Sequence, residues 1–345
     1  MQSSESSPFA EVVKGISIVL ALSVILVFVS HTVTFSHLEE SIFNQYATVR
    51  GEPFVSDGKR IVIEPFYNRI IFPWVFVLLT KMMRGWTDVQ LFLLLRFASF
   101  VICLSLIYVA AYRRRILPTN EVLVALCAIA LCMIPTFAHG WVHPSDILDL
   151  TLCLFMFLYI AEEKFLPAFL VACLTAVNRE TGAFAAVAYI CFSVGIQKWN
   201  LIAVRALLLG GVPYLGAILV RKLVLGEQLP LGSSGQWYTG LSYNLDLWIE
   251  AIRRPSPIGW PMLLFAMMVF PWLFFLARNS TNEFRLRGAT AFFASFAITA
   301  AVGINAEVRT FIPCVALLIG CGLASSGSHD RAPDLGNAHA NLARS

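Results

Sequence analysis

Long apolar runs recur from one end of this chain to the other and leave room for little except membrane helices. They cover residues 15–30, 89–112, 121–137, 147–160, 165–177, 182–196, 201–220, 257–276, 289–304 and 311–324. A bilayer span takes roughly 17 to 25 apolar residues, and the shorter runs can borrow uncharged flanks. The pattern predicts an all-α, polytopic bundle of about ten transmembrane helices, formed by a single domain over residues 1–325. Composition excludes the soluble alternative: 58% of the residues are hydrophobic, 13% are charged and the mean hydropathy is +0.74, too little polar surface for a water-soluble chain of 345 residues. No second folded domain fits. The tail 326–345, rich in Ser, Ala, Asn and Asp, is expected to be disordered and cytoplasmic.

Charge placement orients the bundle better than the net charge of +4 does. With the N-terminus inside, the short inner loops carry Arg113, Arg114, Arg115, Lys164, Lys198, Arg205, Arg278, Arg285 and Arg287, whereas the short outer loops carry only Arg179 and Arg309. Positive residues favour the cytoplasmic side, so both termini are expected inside, with outer loops at about 31–87 and 223–256. Within the first loop, residues 67–83 are apolar but short, bounded by Arg69, Lys81 and Arg84 and interrupted by Pro73. That suits an amphipathic or bent helix lying in the outer interface better than a crossing. No small-x-small cleavage site follows the first run, which reads as an uncleaved anchor. All eight cysteines fall within the expected spans, where thiols behave as small buried hydrophobes.

Three polar clusters interrupt this apolar pattern: His143-Pro144-Ser145-Asp146, Asn178-Arg179-Glu180-Thr181 and Asn305-Ala306-Glu307-Val308-Arg309. Ionisable groups at membrane depth persist where they face a protein interior or a water-filled cavity and have partners there. The orientation puts all three outside, so they can converge on one site. If Pro144 opens a helix, His143, Asp146 and Asp149 share a face, with Asp149 deepest; Asp146 could instead simply cap it. Arg179 with Glu180, and Glu307 with Arg309, can equally be structural ion pairs. His31, His37, His139 and His143 leave a divalent metal open beside Asp146, although their spacing matches no specific ligand motif.

Three local signatures resemble those of the bacterial GT-C (C-type) membrane glycosyltransferases and their poorly characterised polytopic relatives. Tyr67-Asn68-Arg69-Ile70-Ile71-Phe72-Pro73 is similar to the aromatic-x-Arg-x-hydrophobic-x-Pro element after the first loop. Asn178-Arg179-Glu180-Thr181 is similar to an Arg-Glu-Thr opening a later helix, and Glu307-Val308-Arg309-Thr310-Phe311-Ile312-Pro313 to a Glu-x-Arg near the last one. The resemblance implies a bacterial inner-membrane enzyme that moves a sugar from a polyprenyl phosphate to a glycan, lipid or protein acceptor on the outer face. No certain cofactor and no nucleic acid are implied. An acidic first-loop residue would activate the acceptor; the sequence lacks the Asp-x-Asp or Asp-Asp pair of better-known members, and Glu39-Glu40 is the nearest equivalent by position. Under this reading Glu40 or Asp146 is the base, while Arg69, Arg179 and Arg309, with His143, Glu180 and Glu307 beside them, line the donor site. Guanidinium matches phosphate oxygens bidentately and stays charged in any environment. A transporter or flippase for a lipid-linked or polar substrate, or a noncatalytic polysaccharide-assembly component, would also place paired charges in a polar cavity.

Overall fold

The computed structural model describes residues 8–50, 54–56, 59–61, 71–113, 126–127, 130, 144–225, 245–246, 249–250, 252–253, 281–302 and 311–325. Among these residues there are ten α-helices. They are α1 (Pro8–Thr34), α2 (Leu38–Arg50), α3 (Ile71–Met82), α4 (Asp88–Arg113), α5 (Pro144–Ala161), α6 (Phe165–Asn178), α7 (Phe184–Ser193), α8 (Trp199–Leu225), α9 (Asn282–Val302) and α10 (Ile312–Ser325). One small antiparallel hairpin, β1 (Phe54–Ser56) with β2 (Lys59–Ile61), pairs Phe54 with Ile61 and departs from the all-α expectation.

Among the described residues three helices are long and apolar enough to cross a membrane: Phe9–Thr34 within α1, Asp88–Ala111 within α4 and Trp199–Val220 within α8. This corrects the expectation of about ten spans. The expected spans at 121–137 and 257–276 lie almost wholly outside the described residues. Several others form shorter helices, because polar turns cut them off. The 14 residues of α6 rise about 21 Å, against a hydrocarbon core of about 30 Å.

Local signals explain several boundaries. Thr87 and Gln90 form a reciprocal capping box at the start of α4, each backbone N–H donating to the other's side chain, at 2.9 and 3.3 Å. The hydroxyl of Thr281 accepts from the N–H of Phe284 and opens α9. Pro144 takes the first position of α5, where its missing N–H leaves no bond unmade. Pro73 likewise falls in the first turn of α3, where it starts that helix rather than breaking it; residues 67–70 of the segment expected to form an amphipathic or bent helix lie outside the described residues. The α3 helix buries Phe72 and Phe76 against Leu38, Ile42, Leu91 and Phe92 and leaves Trp74 and Leu78 exposed.

The ends of the described helices gather at two poles. At one pole the Tyr108 hydroxyl of α4 donates to the Glu11 carbonyl of α1 at 3.2 Å. There too Arg205 of α8 donates to Tyr189 and Gln197 and lies over the Phe165 ring. The start of α9 meets the end of α7 at this pole through Phe284 and Phe192, ring centroids 5.5 Å apart. At the other pole lie the end of α1, the first turns of α4 and α5, and the α6–α7 junction, joined by the contacts described below. The α9 helix finishes at that second pole and α10 begins there, with Phe296 and Phe311 rings 5.2 Å apart and Thr299 beside Cys314.

Residues 311–321 are buried throughout, as befits a helix apolar on every side at the centre of a bundle. Gly320 lets α10 approach α5 closely, since a Cβ there would lie 3.2 Å from the Leu154 carbonyl and the Leu158 nitrogen. Large apolar side chains instead cover the outside of α1 and α8, including Phe28, Leu207 and Leu215. On helices of this length such faces suit lipid rather than water.

Candidate functional site

The second pole holds a cluster of buried charge. Asp146 lies in the first turn of α5, where the helix dipole favours a carboxylate, and it is 3% exposed. Asp149 lies almost one turn deeper and is fully buried, on the face it shares with Asp146. Arg179 reaches both from the junction of α6 and α7. Its Nη1 donates to Asp146 Oδ1 at 3.0 Å and lies 4.0 Å from Asp149 Oδ2. Asp149 Oδ1 also accepts from the Thr181 hydroxyl at 2.5 Å, with Cys153 Sγ 3.9 Å away.

The chain geometry that delivers Arg179 follows from its neighbours. Asn178 ends α6, Arg179 is extended at φ −163° and ψ 161°, and a 3₁₀ turn over Glu180–Ala183 leads directly into α7. The extended residue lifts the guanidinium out of the helix wall toward α5, while its own N–H still bonds the Thr175 carbonyl at 2.6 Å. Gly182 makes the tight reversal possible, because a Cβ there would sit 2.9 Å from the Ala176 nitrogen and 3.0 Å from the Ala172 carbonyl.

A second buried arginine lies at the same pole. Arg96 is fully buried about 12 Å along α4 from Asp88, over the Phe92 ring at 4.9 Å. Its Nη1 donates to Thr34 Oγ1 at 2.8 Å, and that hydroxyl donates onward to the Ser30 carbonyl at 2.7 Å. Asp146 lies within electrostatic reach of Arg96. Among the described residues the set holds two guanidiniums and two carboxylates and ties together α1, α4, α5 and the end of α6.

Between α1 and α4 runs an apolar groove of about 500 Å³, walled by Val24, Val27, Phe28, Leu93, Leu94 and Phe97 with His31, Trp86 and Gln90. The same two helices carry Thr34 and Arg96.

No protein-family model, curated protein or solved structure matches the chain. Its function must therefore be argued from these residues.

Of the residues singled out in the sequence, the structure brings Asp146 and Arg179 together. Glu40 is half-buried on α2, just beyond the Thr34 junction. Arg69, His143, Glu307 and Arg309 lie outside the described residues; of Glu180 only the backbone, in the 3₁₀ turn, is described. Among the described residues no group of three His, Cys, Asp or Glu side chains is placed to hold a metal. The sequence pattern did not single out Arg96, and it named Thr181 only as a member of the Arg179 cluster, without a role. An arginine two turns inside an apolar run was itself the signal, since a charge at that depth needs a partner.

Proposed function

We propose that this chain is a multi-pass protein of the bacterial inner membrane that works as a GT-C-like glycosyltransferase, taking a sugar from a polyprenyl phosphate on the outer face. The observation that carries the reading is the buried Asp146–Arg179 pair at a break between two helices. It puts a guanidinium with 12% of its side chain exposed at the pole where several helix ends meet. Such a group suits a phosphate leaving group, whose charge grows as the bond to the sugar breaks. The apolar groove between α1 and α4 gives an isoprenoid tail a place beside that pole.

In this reading Arg179 holds the phosphate, with Arg69 and Arg309 as further candidates. Asp146 orients Arg179. Because Asp146 is already engaged, Glu40 is the better candidate for the base that takes the acceptor hydroxyl's proton. His143, Glu180 and Glu307 remain candidates for contacts to sugar or acceptor. Inversion at the anomeric carbon would follow from direct attack of the acceptor oxygen as the bond to the phosphate oxygen breaks.

The extended break at Arg179 also favours a second reading, since transporters use interrupted helices to build substrate sites. One experiment separates the two. Purified protein in nanodiscs is incubated with a panel of labelled polyprenyl-phosphate sugars and membrane-extract acceptors. The enzyme reading expects release of polyprenyl phosphate, lost in Arg179→Ala. Movement of intact donor across proteoliposomes without bond cleavage would favour the transporter.

A further inference from the structure

We propose that Thr181 is a positioning residue for the phosphate site: its bond to Asp149 fixes the register between the α6–α7 break and α5, and so sets where the Arg179 guanidinium stands. The inference rests on the phosphate-binding reading above and adds to it the residue that holds Arg179 in place. Arg179 needs such a support. Its residue is extended rather than helical, so the regular ladder of α6 ends beneath it, and a long jointed side chain on such a break has many positions open to it.

Two bonds, side by side, tie the break to α5. Arg179 Nη1 donates to Asp146 Oδ1 at 3.0 Å, and the Thr181 hydroxyl donates to Asp149 Oδ1 at 2.5 Å. Asp146 and Asp149 lie almost one turn apart on one face of α5, and the break meets them in matching order. A slip of either element would part both bonds together. Asp149 also links the two. Its Oδ1 takes the Thr181 hydroxyl while its Oδ2 lies 4.0 Å from Arg179 Nη1. A carboxylate is planar, so holding one oxygen aims the other, and Thr181 thereby keeps negative charge facing the guanidinium.

Thr181 is suited to this work and not to meeting the ligand itself. It is 8% exposed, its hydroxyl is given to Asp149, and that carboxylate is fully buried. A hydrogen bond to an ionised acceptor is short and among the stronger kinds. The β-branched side chain has few χ1 positions, which narrows the hydroxyl's direction. Gly182 follows at once, pressed against α6, so the segment that carries both Arg179 and Thr181 is gripped from two sides. Displacing a binding group by about 1 Å can cost about a hundredfold, so a smaller shift of Arg179 should cost about tenfold.

The test is binding of farnesyl phosphate, and separately inorganic phosphate, to the full chain in nanodiscs, at a temperature where tryptophan fluorescence shows each variant folded. Arg179→Met should weaken binding by about tenfold or more through loss of a charge-assisted contact. Thr181→Val, which keeps the shape and removes the donor, should weaken it by about tenfold; Thr181→Ser, which restores the donor, should bind within about twofold of wild type. The decisive comparison adds Thr181→Val to Arg179→Met. A residue that acts through Arg179 has nothing left to position, so binding should fall no further than about twofold, although the unfolding midpoint still drops. An equal loss of binding in both backgrounds means general loosening and overturns the proposal, as does a folded Thr181→Val that binds like wild type. If Thr181→Val fails to fold, Thr181→Cys, a weak donor, takes its place: about threefold weaker binding, absent from the Arg179→Met background, supports the proposal, and unchanged binding overturns it. Wild-type protein that binds neither probe, or whose binding ignores Arg179→Met, defeats the phosphate reading and this proposal with it. Where Arg179→Met weakens binding and Thr181→Val does not, the phosphate reading stands and the role of Thr181 falls. Preference for farnesyl over inorganic phosphate identifies a lipid source; equal binding identifies free phosphate.

Discussion

Breaking the Asp146–Arg179 pair from each side, and then from both, should give unequal costs. Removing one partner of a buried ion pair typically costs about 3 to 5 kcal/mol, because the other charge is left without compensation. Arg179→Met should fall below that range, at about 2 to 3 kcal/mol, since the arginine side chain is 12% exposed and water can reach the site it leaves. Asp146→Asn removes the carboxylate bonded to Arg179 and should cost about as much. The double variant keeps Arg96 and Asp149, one charge of each sign, so it should be less destabilised than the sum of the singles by about 2 kcal/mol. Reversible unfolding in mixed micelles, followed by tryptophan fluorescence across all four proteins, measures that coupling. Additivity to within about 0.5 kcal/mol would refute the reasoning, because two residues that share a buried bond cannot act independently.

Other consequences can be checked separately. Gly182→Ala forces a Cβ against the backbone of α6 and should destabilise the fold by about 1 to 3 kcal/mol, measured in the same unfolding assay. Thr181→Val removes the hydroxyl donor to Asp149 while keeping the shape, and should cost about 1 to 3 kcal/mol, whereas Thr181→Ser should cost much less. Cysteines introduced singly at Asn120 and Ser233 should react with an impermeant thiol reagent from opposite sides of the membrane; labelling of both from one side would overturn the orientation drawn from the loop charges.

The long spans were legible because nothing but length and apolarity defines them: the runs at 89–112 and 201–220 nearly coincide with α4 and α8. Asp146 and Asp149 were legible as one face of a helix because Pro144 marks its start. The shorter helices were not, since an apolar run does not reveal where a bundle ends it. Gly182 turns the chain back at a point fixed by contact with Ala176, and that close approach has no sequence signature. Arg96 hid for the opposite reason: its run is so apolar that one charge barely lowers the average, although the cost of burying that charge is what makes it informative. Its partner Thr34 comes from a helix 62 positions away, and no local pattern pairs the two.

The most direct test of the central claim is an experimental structure of the protein in nanodiscs with farnesyl phosphate bound. The account predicts the phosphate within hydrogen-bonding distance of Arg179 and the isoprenoid along the groove between α1 and α4. Phosphate bound elsewhere on the protein would contradict it.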